Sequence, residues 1–440
     1  MSEADPPNNV LLENNATTTD GVLQGSNHEE ESNREDHQDT NQLTKESLKN
    51  EPEDAEKEAE EDRKLRGNQE AYARVTHTLK GHSRPISSLS FAPDGTKLSS
   101  SSADGVILIW NVILPEKPSS DRGGVVGHQV EFMSKLVDGA SEDEENDRPR
   151  EGINDLAWSP DSEYLVSGSD DHAIHVWAPS SQSLPSNPSS SSSSSSSSTT
   201  RPIRKLLGHS HCVYCVKFNP IGTLLISGSF DETVKVWDFL AGKLLRTLPG
   251  HSEVVSCLDF SRDGSVIVSG SFDGLIRMWD TTSGQCLKTM VVAQETNAPV
   301  TFITFTPNSR YLITCSLDST VRIWDYRSKE GTVMKSYTGH TNIKYSIPAR
   351  VISRVTTTNK LDPGNPIGDR DVVLMGSEDG SLWIWDLQSR ELVLRKASHQ
   401  DSIIGISVHP TNPSIFATAG LDKDPSIKLV SLSCPPSSKT

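Results

Sequence analysis

The sequence predicts an all-β fold built from repeated modules that stack on one another and share a core. An aspartate stands six residues before a tryptophan six times along the chain. The pairs are Asp104/Trp110, Asp171/Trp177, Asp231/Trp237, Asp273/Trp279, Asp318/Trp324 and Asp379/Trp385. A seventh copy, Asp424/Val430, lacks the tryptophan, and three copies have a Gly-His dipeptide 22 residues before the aspartate, at His82, His209 and His251. So short a unit cannot bury its own apolar face, and its recurrence therefore indicates stacking.

Each module is predicted to contain four short strands. Turn sequences such as Pro93-Asp94-Gly95 separate the first two strands, and a serine-rich strand such as Val268–Ser271 precedes the aspartate turn. Seven modules can be counted, the last closing with Ser426–Ser431. The segment Tyr72–Leu79 alternates in character and has no module of its own. We expect it to pair as the outer strand of the last module, because such closure removes the exposed edges of an open array.

This spacing of Gly-His, aspartate and tryptophan resembles that of the WD-repeat family. The resemblance implies a seven-bladed β-propeller over residues 67–434, with one module in each blade. Propellers are mostly platforms for binding, so function is expected on the two faces and in the central channel.

Three segments interrupt the period and are expected to lie between strands, where insertions are tolerated. Residues 115–150 include an acidic run, residues 180–200 include the serine run Ser189–Ser198, and residues 356–371 are rich in Asn, Asp, Pro and Gly. A serine run of this kind is typical of a flexible linker, although its hydroxyls are also possible phosphorylation sites.

The charge of the chain is concentrated in its N-terminal segment. The net charge is −17, and residues 1–66 hold 19 acidic and 7 basic residues. With almost no aromatic residues, this segment is predicted to be a disordered acidic tail. An alternative is that it contacts basic partners such as histone tails. Residues 435–440 form a short C-terminal tail.

Composition argues against several other classes of protein. No apolar stretch approaches the ~18 residues of a membrane span, and no signal peptide is recognised, so we expect an intracellular protein without membrane contact. No basic patch indicates direct nucleic-acid binding. Cys212 and Cys215 form a Cys-x-x-Cys, but an offset of three in a strand places the two side chains on opposite faces. With no second cysteine pair, neither a metal nor a cofactor is predicted.

Histidine, serine, aspartate and tryptophan recur together, which allows two interpretations. A Ser-His-Asp triad could be assembled from Ser227, His209 and Asp231, but a triad needs a single activated serine with an oxyanion hole. A set repeated in successive modules is better explained as structural, with each aspartate bound to the imidazole and the imidazole tied through a hydroxyl to the indole. The protein is therefore predicted not to be an enzyme. The structural set is His82, Asp104, Trp110, His209, Asp231, Trp237, His251, Asp273 and Trp279.

Two groups of residues are expected at one rim of the ring. The first group precedes the turn aspartates: Ala103, Asp170, Phe230, Phe272, Leu317 and Glu378. The second group follows the Gly-His elements: Asn154, Tyr214, Ser256, Phe302 and Tyr345. An aromatic hollow with a small acidic component suits a cationic side chain. Ordinary packing between modules is the other interpretation of the same residues.

A closer resemblance is to the WD-repeat core subunit of COMPASS/MLL-type histone methyltransferase complexes. It covers residues 72–434 apart from the insertions and is strongest in the third to fifth modules. The motifs that carry it are GHSHCVYCVKFNP (208–220), SGSFDE (227–232), KLLRTLP (243–249) and SGQCLKT (283–289). The resemblance implies a non-catalytic nuclear scaffold for methylation of histone H3 lysine four. Its partners would be the catalytic methyltransferase subunit, other core subunits and the histone H3 tail.

In that family the channel mouth takes an arginine between two phenylalanine rings. The positions carried over by motif are Ala103, Asn154, Asp170, Tyr214, Phe230, Ser256, Phe272, Thr301, Phe302, Tyr345, Ser346 and Pro348. One of the two rings is replaced by Tyr214, which is still aromatic, and the other by Pro348, which offers no π face. The clamp is therefore expected to be one-sided.

The opposite family surface holds a second core subunit. It corresponds here to Asn308, Tyr311, Ile323 and Gln388, close to the third insertion. A different WD-repeat adaptor, in ubiquitin ligation or RNA processing, is the alternative from the same architecture. No F-box or other recruiting domain is recognised that would favour ubiquitin ligation.

Overall fold

A computed structural model describes residues 73–113, 129–138, 150–179, 199–293, 296–352 and 370–432. The expected tails, residues 1–66 and 435–440, and most of the three expected insertions lie outside these ranges. The described residues form 29 β-strands. Among them, no helix has the length and apolar character needed to cross a bilayer.

The strands are short, and their bounds follow the repeat closely. The first ten are β1 (Ala73–Leu79), β2 (Ile86–Phe91), β3 (Lys97–Ser102), β4 (Val106–Ile113), β5 (Gln129–Val137), β6 (Ile153–Trp158), β7 (Leu165–Ser169), β8 (Ala173–Trp177), β9 (Thr199–Thr200) and β10 (Arg204–Leu207). The next ten are β11 (Val213–Phe218), β12 (Leu224–Ser229), β13 (Val234–Asp238), β14 (Lys243–Leu248), β15 (Val255–Phe260), β16 (Val266–Ser271), β17 (Leu275–Asp280), β18 (Cys286–Val291), β19 (Val300–Phe305) and β20 (Leu312–Ser316). The last nine are β21 (Thr320–Asp325), β22 (Thr332–Tyr337), β23 (Ala349–Ile352), β24 (Val372–Gly376), β25 (Ser381–Asp386), β26 (Leu392–Ala397), β27 (Ile403–Val408), β28 (Ile415–Gly420) and β29 (Ile427–Leu432).

Within the described ranges these strands make seven sheets, which confirms the predicted seven-bladed propeller. The sheets are, in order, β2-β3-β4-β5-β9, β6-β7-β8-β10, β11 to β14, β15 to β18, β19 to β22, β23 to β26, and β27-β28-β29-β1. Successive sheets contact one another, and β27 of the seventh contacts β2 of the first. The first strand of each sheet lies innermost and lines the channel.

The core is divided among the interfaces between sheets. The described residues form seven buried apolar clusters, one between each pair of adjacent sheets around the ring. Between the first and second sheets, for example, Ile107 and Leu136 of one pack with Leu165 and Trp177 of the other. Each sheet thus buries both faces against neighbours, which explains why a single module could not form a core alone.

The ring closes by pairing the two ends of the described chain. Strand β1 lies antiparallel to β29, from Ala73 opposite Leu432 to Leu79 opposite Ile427. This confirms the outer-strand prediction for residues 73–79; Tyr72 lies outside the described residues. The same junction requires glycine at position 95, because its φ is +77° and a Cβ there would lie 2.5 Å from the His409 ring. The His409 Nε2 atom is also 2.9 Å from the Gly95 carbonyl oxygen.

The expected first insertion needs a correction. Residues 129–137, inside the predicted insertion 115–150, are strand β5, the fourth strand of the first sheet. The sequence hid this strand because Phe132 is 55% exposed and the apolar alternation is broken. Its end nevertheless belongs to the core, since Leu136 and Val137 are buried. At the end of the second expected insertion, Thr199–Thr200 pairs in parallel with Lys135 and Leu136.

Deletion of the closing strand tests the importance of closure. We expect removal of residues 1–66 to leave the melting temperature nearly unchanged, because their composition cannot offset the ordering entropy. Removal of residues 1–79 should lower it by about 5 °C or more, because β29 loses its ladder partner and buried Ala73. Thermal unfolding followed by circular dichroism measures both. Equal melting of the two truncated chains would show that closure by β1 contributes little.

Candidate functional site

The recurrent polar side chains form a hydrogen-bonded chain inside a sheet. In the third sheet, His209 Nδ1 lies 2.7 Å from Asp231 Oδ2 and His209 Nε2 lies 2.7 Å from Ser227 Oγ. The indole N–H of Trp237 donates to the same serine oxygen at 2.8 Å. The fourth sheet repeats the arrangement with Asp273, His251, Ser269 and Trp279. In the first sheet, His82 lies 3.3 Å from Asp104 and 2.6 Å from Ser100, and Trp110 is buried beside them.

The electrostatics of this chain favour an ionised aspartate and a neutral imidazole. Burial alone would raise the pKa of Asp231, but hydrogen bonds from His209 and Thr233 outweigh it and lower the pKa well below its usual range. Burial lowers the pKa of His209, against the pull of Asp231. A neutral imidazole can donate from Nδ1 to the carboxylate and accept at Nε2 from the serine hydroxyl. The aspartate, histidine, serine and tryptophan of this set hydrogen-bond to one another. The serine therefore does not have the arrangement of an activated nucleophile.

In the second, fifth and seventh sheets the partner of the aspartate is a residue outside the predicted structural set. In the second sheet, which lacks a Gly-His, His175 of β8 places Nε2 2.8 Å from Asp171 Oδ2. In the fifth, Arg322 of β21 takes that role with Nη2 2.5 Å from Asp318 Oδ2. The seventh sheet uses His399, 3.0 Å from Asp424 and 2.9 Å from Thr418. Sequence reasoning missed His399 because a serine precedes it and because it lies 25 residues from its aspartate.

The sixth sheet leaves its histidine unpaired. His340 follows Gly339, but the third insertion separates it from Asp379 by more than the usual spacing. Its hydroxyl partner is also lost, since Met375 stands where Ser227 and Ser269 stand in the third and fourth sheets. His340 is 3% exposed, and neither ring nitrogen has a hydrogen-bond partner in the described part of the chain. Burial lowers its pKa to about 4.

One group of side chains has the spacing of metal ligands. Ligand atoms of Asp138, Asp171 and His175 lie within 4.8 Å of one another. The Lys205 ammonium lies 2.5 Å from Asp138 and 3.8 Å from Asp171, so a positive charge already compensates these carboxylates. This arrangement is an ion-pair network.

The two cysteines of the Cys-x-x-Cys do not converge. The Cys212 thiol donates to the Asp170 carbonyl of the second sheet and the Cys215 thiol to the Val255 carbonyl of the fourth. Burial raises the pKa of Cys212 to about 11 and raises that of Cys215 as well. A raised pKa disfavours the thiolate that metal binding and redox chemistry require.

Backbone hydrogen bonds fix the residue that precedes each of six turn aspartates, the first group predicted at the channel mouth. Each donates its N–H to a carbonyl just ahead of the innermost strand or in its lead-in, at 2.9–3.1 Å. These donors are Ala103, Asp170, Phe230, Phe272, Leu317 and Glu378. The six residues therefore hold equivalent backbone positions in their sheets. That their side chains face the channel mouth together stays a prediction.

An aromatic group lies on one side of this mouth. The Tyr214 ring centroid is 5.7 Å from that of Phe230 and 6.1 Å from that of Phe272. The Tyr214 hydroxyl lies 3.0 Å from Ser346 Oγ, which joins the third sheet to the loop before β23. Phe230 is 40% exposed, so part of this apolar surface is open to a partner.

The polar candidates at the mouth are largely occupied by the protein itself. Asn154 donates its amide to Asp170 Oδ1 at 2.8 Å and to the Val213 carbonyl at 3.1 Å. The Ser256 hydroxyl, 5% exposed, lies within hydrogen-bond distance of the Val300 and Gly270 carbonyls, to one of which it can donate. Thr301 is buried, and its Oγ1 has no hydrogen-bond partner in the described part of the chain. Asn154 and Ser256 therefore offer little to a ligand.

A loop between the fifth and sixth sheets carries the remaining candidates. Glu378 Oε1 accepts the backbone N–H groups of Ile343, Lys344 and Tyr345 at 2.8, 2.6 and 3.0 Å. The Lys344 ammonium lies 5.4 Å from the Tyr345 ring centroid. Pro348 is half-buried after this loop. The sequence did not reveal that Glu378 fixes this loop.

Arg350 is the residue at the channel that the sequence did not indicate. It lies on β23, and its guanidinium carbon is 4.8 Å from the ring centroid of Phe302. Burial lowers the pKa of Arg350, while the carboxylates of Asp259 on β15 and Asp155 on β6, the first strands of the fourth and second sheets, favour its charged form. No repeat rule could identify it, since its position lies outside the Asp, His and Trp pattern.

The predicted partner surface lies at the junction of the fifth and sixth sheets. Tyr311 and Ile323 pack in one cluster with Leu387. Gln388 Oε1 is 3.2 Å from Lys335 Nζ, and Lys335 pairs with Ile323 in the sheet. Asn308 lies in the turn before Tyr311, where its Oδ1 accepts from Thr306 Oγ1 at 2.7 Å. Ile323 is only 5% exposed, so it supports the surface from beneath.

Comparison with known proteins gives one family and several relatives. A family described as the WDR5 beta-propeller domain matches residues 78–431. Nuclear distribution protein PAC1 of Arthroderma benhamiae is 29% identical over 361 residues, which are 79% of this chain and 59% of PAC1. COMPASS component SWD3 of Saccharomyces cerevisiae is 30% identical over 247 residues, 55% of this chain and 70% of SWD3.

A solved structure supports the same fold. The WD40 β-propeller domain of Doa1 superposes with a TM-score of 0.56 at 20% identity, over 82% of this chain and 97% of that domain. This likeness concerns the fold alone. The chain spans 59% of the length of the PAC1 relative.

The unpaired His340 predicts a pH dependence that can be isolated by substitution. Its pKa in the folded protein is about 4, below the ~6.5 of an unfolded histidine, so the unfolded state binds more protons between these values. The free energy of unfolding is therefore not reduced by this histidine above pH 6.5. It falls as the pH drops from 6.5 toward 4, because the unfolded state takes up a proton that the folded state does not. His340→Phe keeps the edge contact with Trp385 and should therefore gain about 1–2 kcal/mol over wild type between pH 7 and pH 5.

Urea unfolding of both proteins at the two pH values measures this difference. His209→Phe is the matched control, since His209 is paired with Asp231 and Ser227. That variant should be less stable than wild type already at pH 7. A His340→Phe variant whose stability difference does not change with pH would contradict the assignment.

Proposed function

Since the chain belongs to the WDR5 beta-propeller family, we propose that it is a scaffold subunit of a nuclear complex that methylates lysine four of histone H3. In this proposal the chain catalyses nothing and holds other subunits on its two faces. The observation that carries the proposal is the 30% identity to a COMPASS component over 70% of that relative. The hydrogen-bonded polar sets of the sheets, which leave no free nucleophile, support a scaffold.

We propose that the channel mouth binds an arginine of the methyltransferase subunit, with the histone H3 tail as a second candidate for the same pocket. The support is the aromatic group of Tyr214, Phe230 and Phe272, together with the half-buried Phe302 of β19. A guanidinium stacks on such rings, and a desolvated contact of this kind contributes up to ~2 kcal/mol. Pro348 provides no second ring, so binding should be weaker than in relatives with two.

The opposite surface is proposed to hold another core subunit through Asn308, Tyr311 and Gln388. Exposed polar groups around a half-buried tyrosine suit a standard polar rim with an aromatic anchor. Ile323 contributes by packing under Tyr311.

The second candidate is an adaptor of a different assembly. The likeness to nuclear distribution protein PAC1 covers more of this chain, 79%, at similar identity. On that alternative the same two faces would hold other partners, and a nuclear location would not be required.

Affinity purification tests the proposed complex. Tagged full-length chain, expressed at its native level, should recover a histone methyltransferase subunit and activity on histone H3 lysine four. Gln388→Arg should reduce recovery of a second core subunit, because a bulky charge enters the proposed surface. Gln285→Arg, in the matching exposed turn of the fourth sheet, should not. Recovery of a different assembly without methyltransferase activity would rule the proposal out.

Titration calorimetry tests the arginine pocket directly. A peptide from the methyltransferase or histone H3 that contains one arginine should bind, and its Arg→Ala counterpart should not. Tyr214→Ala should weaken binding by ~1–2 kcal/mol, because a ring is lost. Pro348→Phe should tighten it by supplying a second ring. Equal binding of the two peptides would remove the pocket and leave the Asn308, Tyr311 and Gln388 surface as the candidate site.

A further inference from the structure

Arg350 holds a position that an incoming arginine would need. It is the second residue of β23 and is half-buried in the channel. Its guanidinium carbon lies 4.8 Å from the ring centroid of Phe302, within the range of a cation–π contact. Phe302 also packs against the buried cluster between the fifth and sixth sheets. The ring is therefore already in contact with an apolar core and with a guanidinium of its own chain.

The two carboxylates that attract Arg350 are hydrogen-bonded to other groups. Asp155 accepts hydrogen bonds from Ser88 Oγ at 2.9 Å and from the Val216 N–H at 3.0 Å. Asp259 accepts from Thr304 Oγ1 at 2.7 Å and from the Phe305 N–H at 2.8 Å. Both carboxylates are thus satisfied by other groups.

Arg350 has no direct carboxylate partner. Within the described ranges, no hydrogen bond or ion pair joins it to Asp155 or Asp259. It is retained by attraction across the channel and by the Phe302 ring, without a bidentate pair. A guanidinium held in this way can exchange with another of the same charge and shape.

The other rings of the mouth also have partners from the chain. Lys344 lies over Tyr345 at 5.4 Å, and the Tyr214 hydroxyl is 3.0 Å from Ser346 Oγ. Lys344 is the chain neighbour of Tyr345 in the same loop. Phe302 differs because the side chain over its ring comes from a strand of the next sheet, β23.

We propose that Arg350 is an internal occupant of the channel cation site, which must leave Phe302 before an external arginine can bind there. This inference rests on the arginine pocket of the proposed function and adds its regulation. When a ligand arginine replaces Arg350, the net charge near Asp155 and Asp259 stays the same, because one guanidinium takes the place of another. The intact protein therefore binds arginine peptides below the intrinsic affinity of its rings.

Removal of the internal guanidinium is the decisive experiment. Full-length wild type, Arg350→Ala and Arg350→Lys are titrated with a histone H3 N-terminal peptide that keeps one arginine, and with its Arg→Ala counterpart. Arg350→Ala should bind the arginine peptide roughly five- to thirty-fold more tightly than wild type. Arg350→Lys should fall between the two, since an ammonium stacks less well on a ring. Melting temperatures show that each variant is folded.

Arg395→Ala is the matched control. Arg395 also lies 4.8 Å from an aromatic centroid, that of Trp383, but on the outer strand β26. Its removal should leave peptide affinity unchanged.

The outcomes separate the inference from the proposed function. Wild type that binds the arginine peptide, with Arg350→Ala equal or weaker, overturns the inference and leaves the pocket intact. Folded proteins that all fail to distinguish the two peptides overturn the pocket and the inference together. An equal gain in Arg395→Ala would show a general charge effect and would also overturn the inference.

Discussion

The pairing of β1 with β29 is the constraint on which the rest of the structure depends. Every sheet buries both faces against neighbours, so the apolar clusters form a continuous circle. Closure joins residues more than 350 positions apart, as in the bond from Thr76 Oγ1 to the Leu429 carbonyl. Such a long loop carries an entropy cost at folding. The seventh and first sheets offset this cost by packing Ile427 of β29 with Ile86 and Leu89 of β2. A closed ring also fixes the width of the channel.

Within each sheet, the buried polar chain links stability to the binding face. Asp231 bonds to His209 and also receives the backbone N–H groups of Ser210 and Thr233. The turn is thereby held rigid, and the preceding residue, Phe230, is directed to the mouth by its own bond to the Cys212 carbonyl. The same geometry presents Phe272 one sheet further on. The buried polar set of one sheet therefore fixes the turn that carries its aromatic side chain.

The sequence predicted the parts of this structure that repeat. Seven modules, the closing strand and the hydrogen-bonded set all follow from spacing, because a period reports one local geometry many times. Elements that depart from the repeat could not be predicted from spacing. Strand β5 has an irregular apolar pattern, and His399 lies at a different spacing from its aspartate.

The candidate site was predictable only in part. The residues before the aspartates could be recognised as equivalent positions, because the same backbone bond recurs from sheet to sheet. Arg350 could not, since no spacing reveals which side chain covers the ring of Phe302. The orphaned His340 likewise depends on a methionine at one position of β24, which matters only once the neighbouring strand is known.

An internal occupant changes affinity without changing relative preference. If Phe302 is free in only a fraction of molecules, every ligand that needs this ring is weakened by the same factor. Discrimination between arginine and lysine then still follows from stacking on the ring. A ligand can recover the lost affinity only through contacts elsewhere, and Phe230 and Ile343 are exposed apolar side chains, at 40% and 65%. The mouth should therefore favour an arginine within a longer apolar segment over a free arginine, which is the behaviour that a scaffold requires of a specific partner.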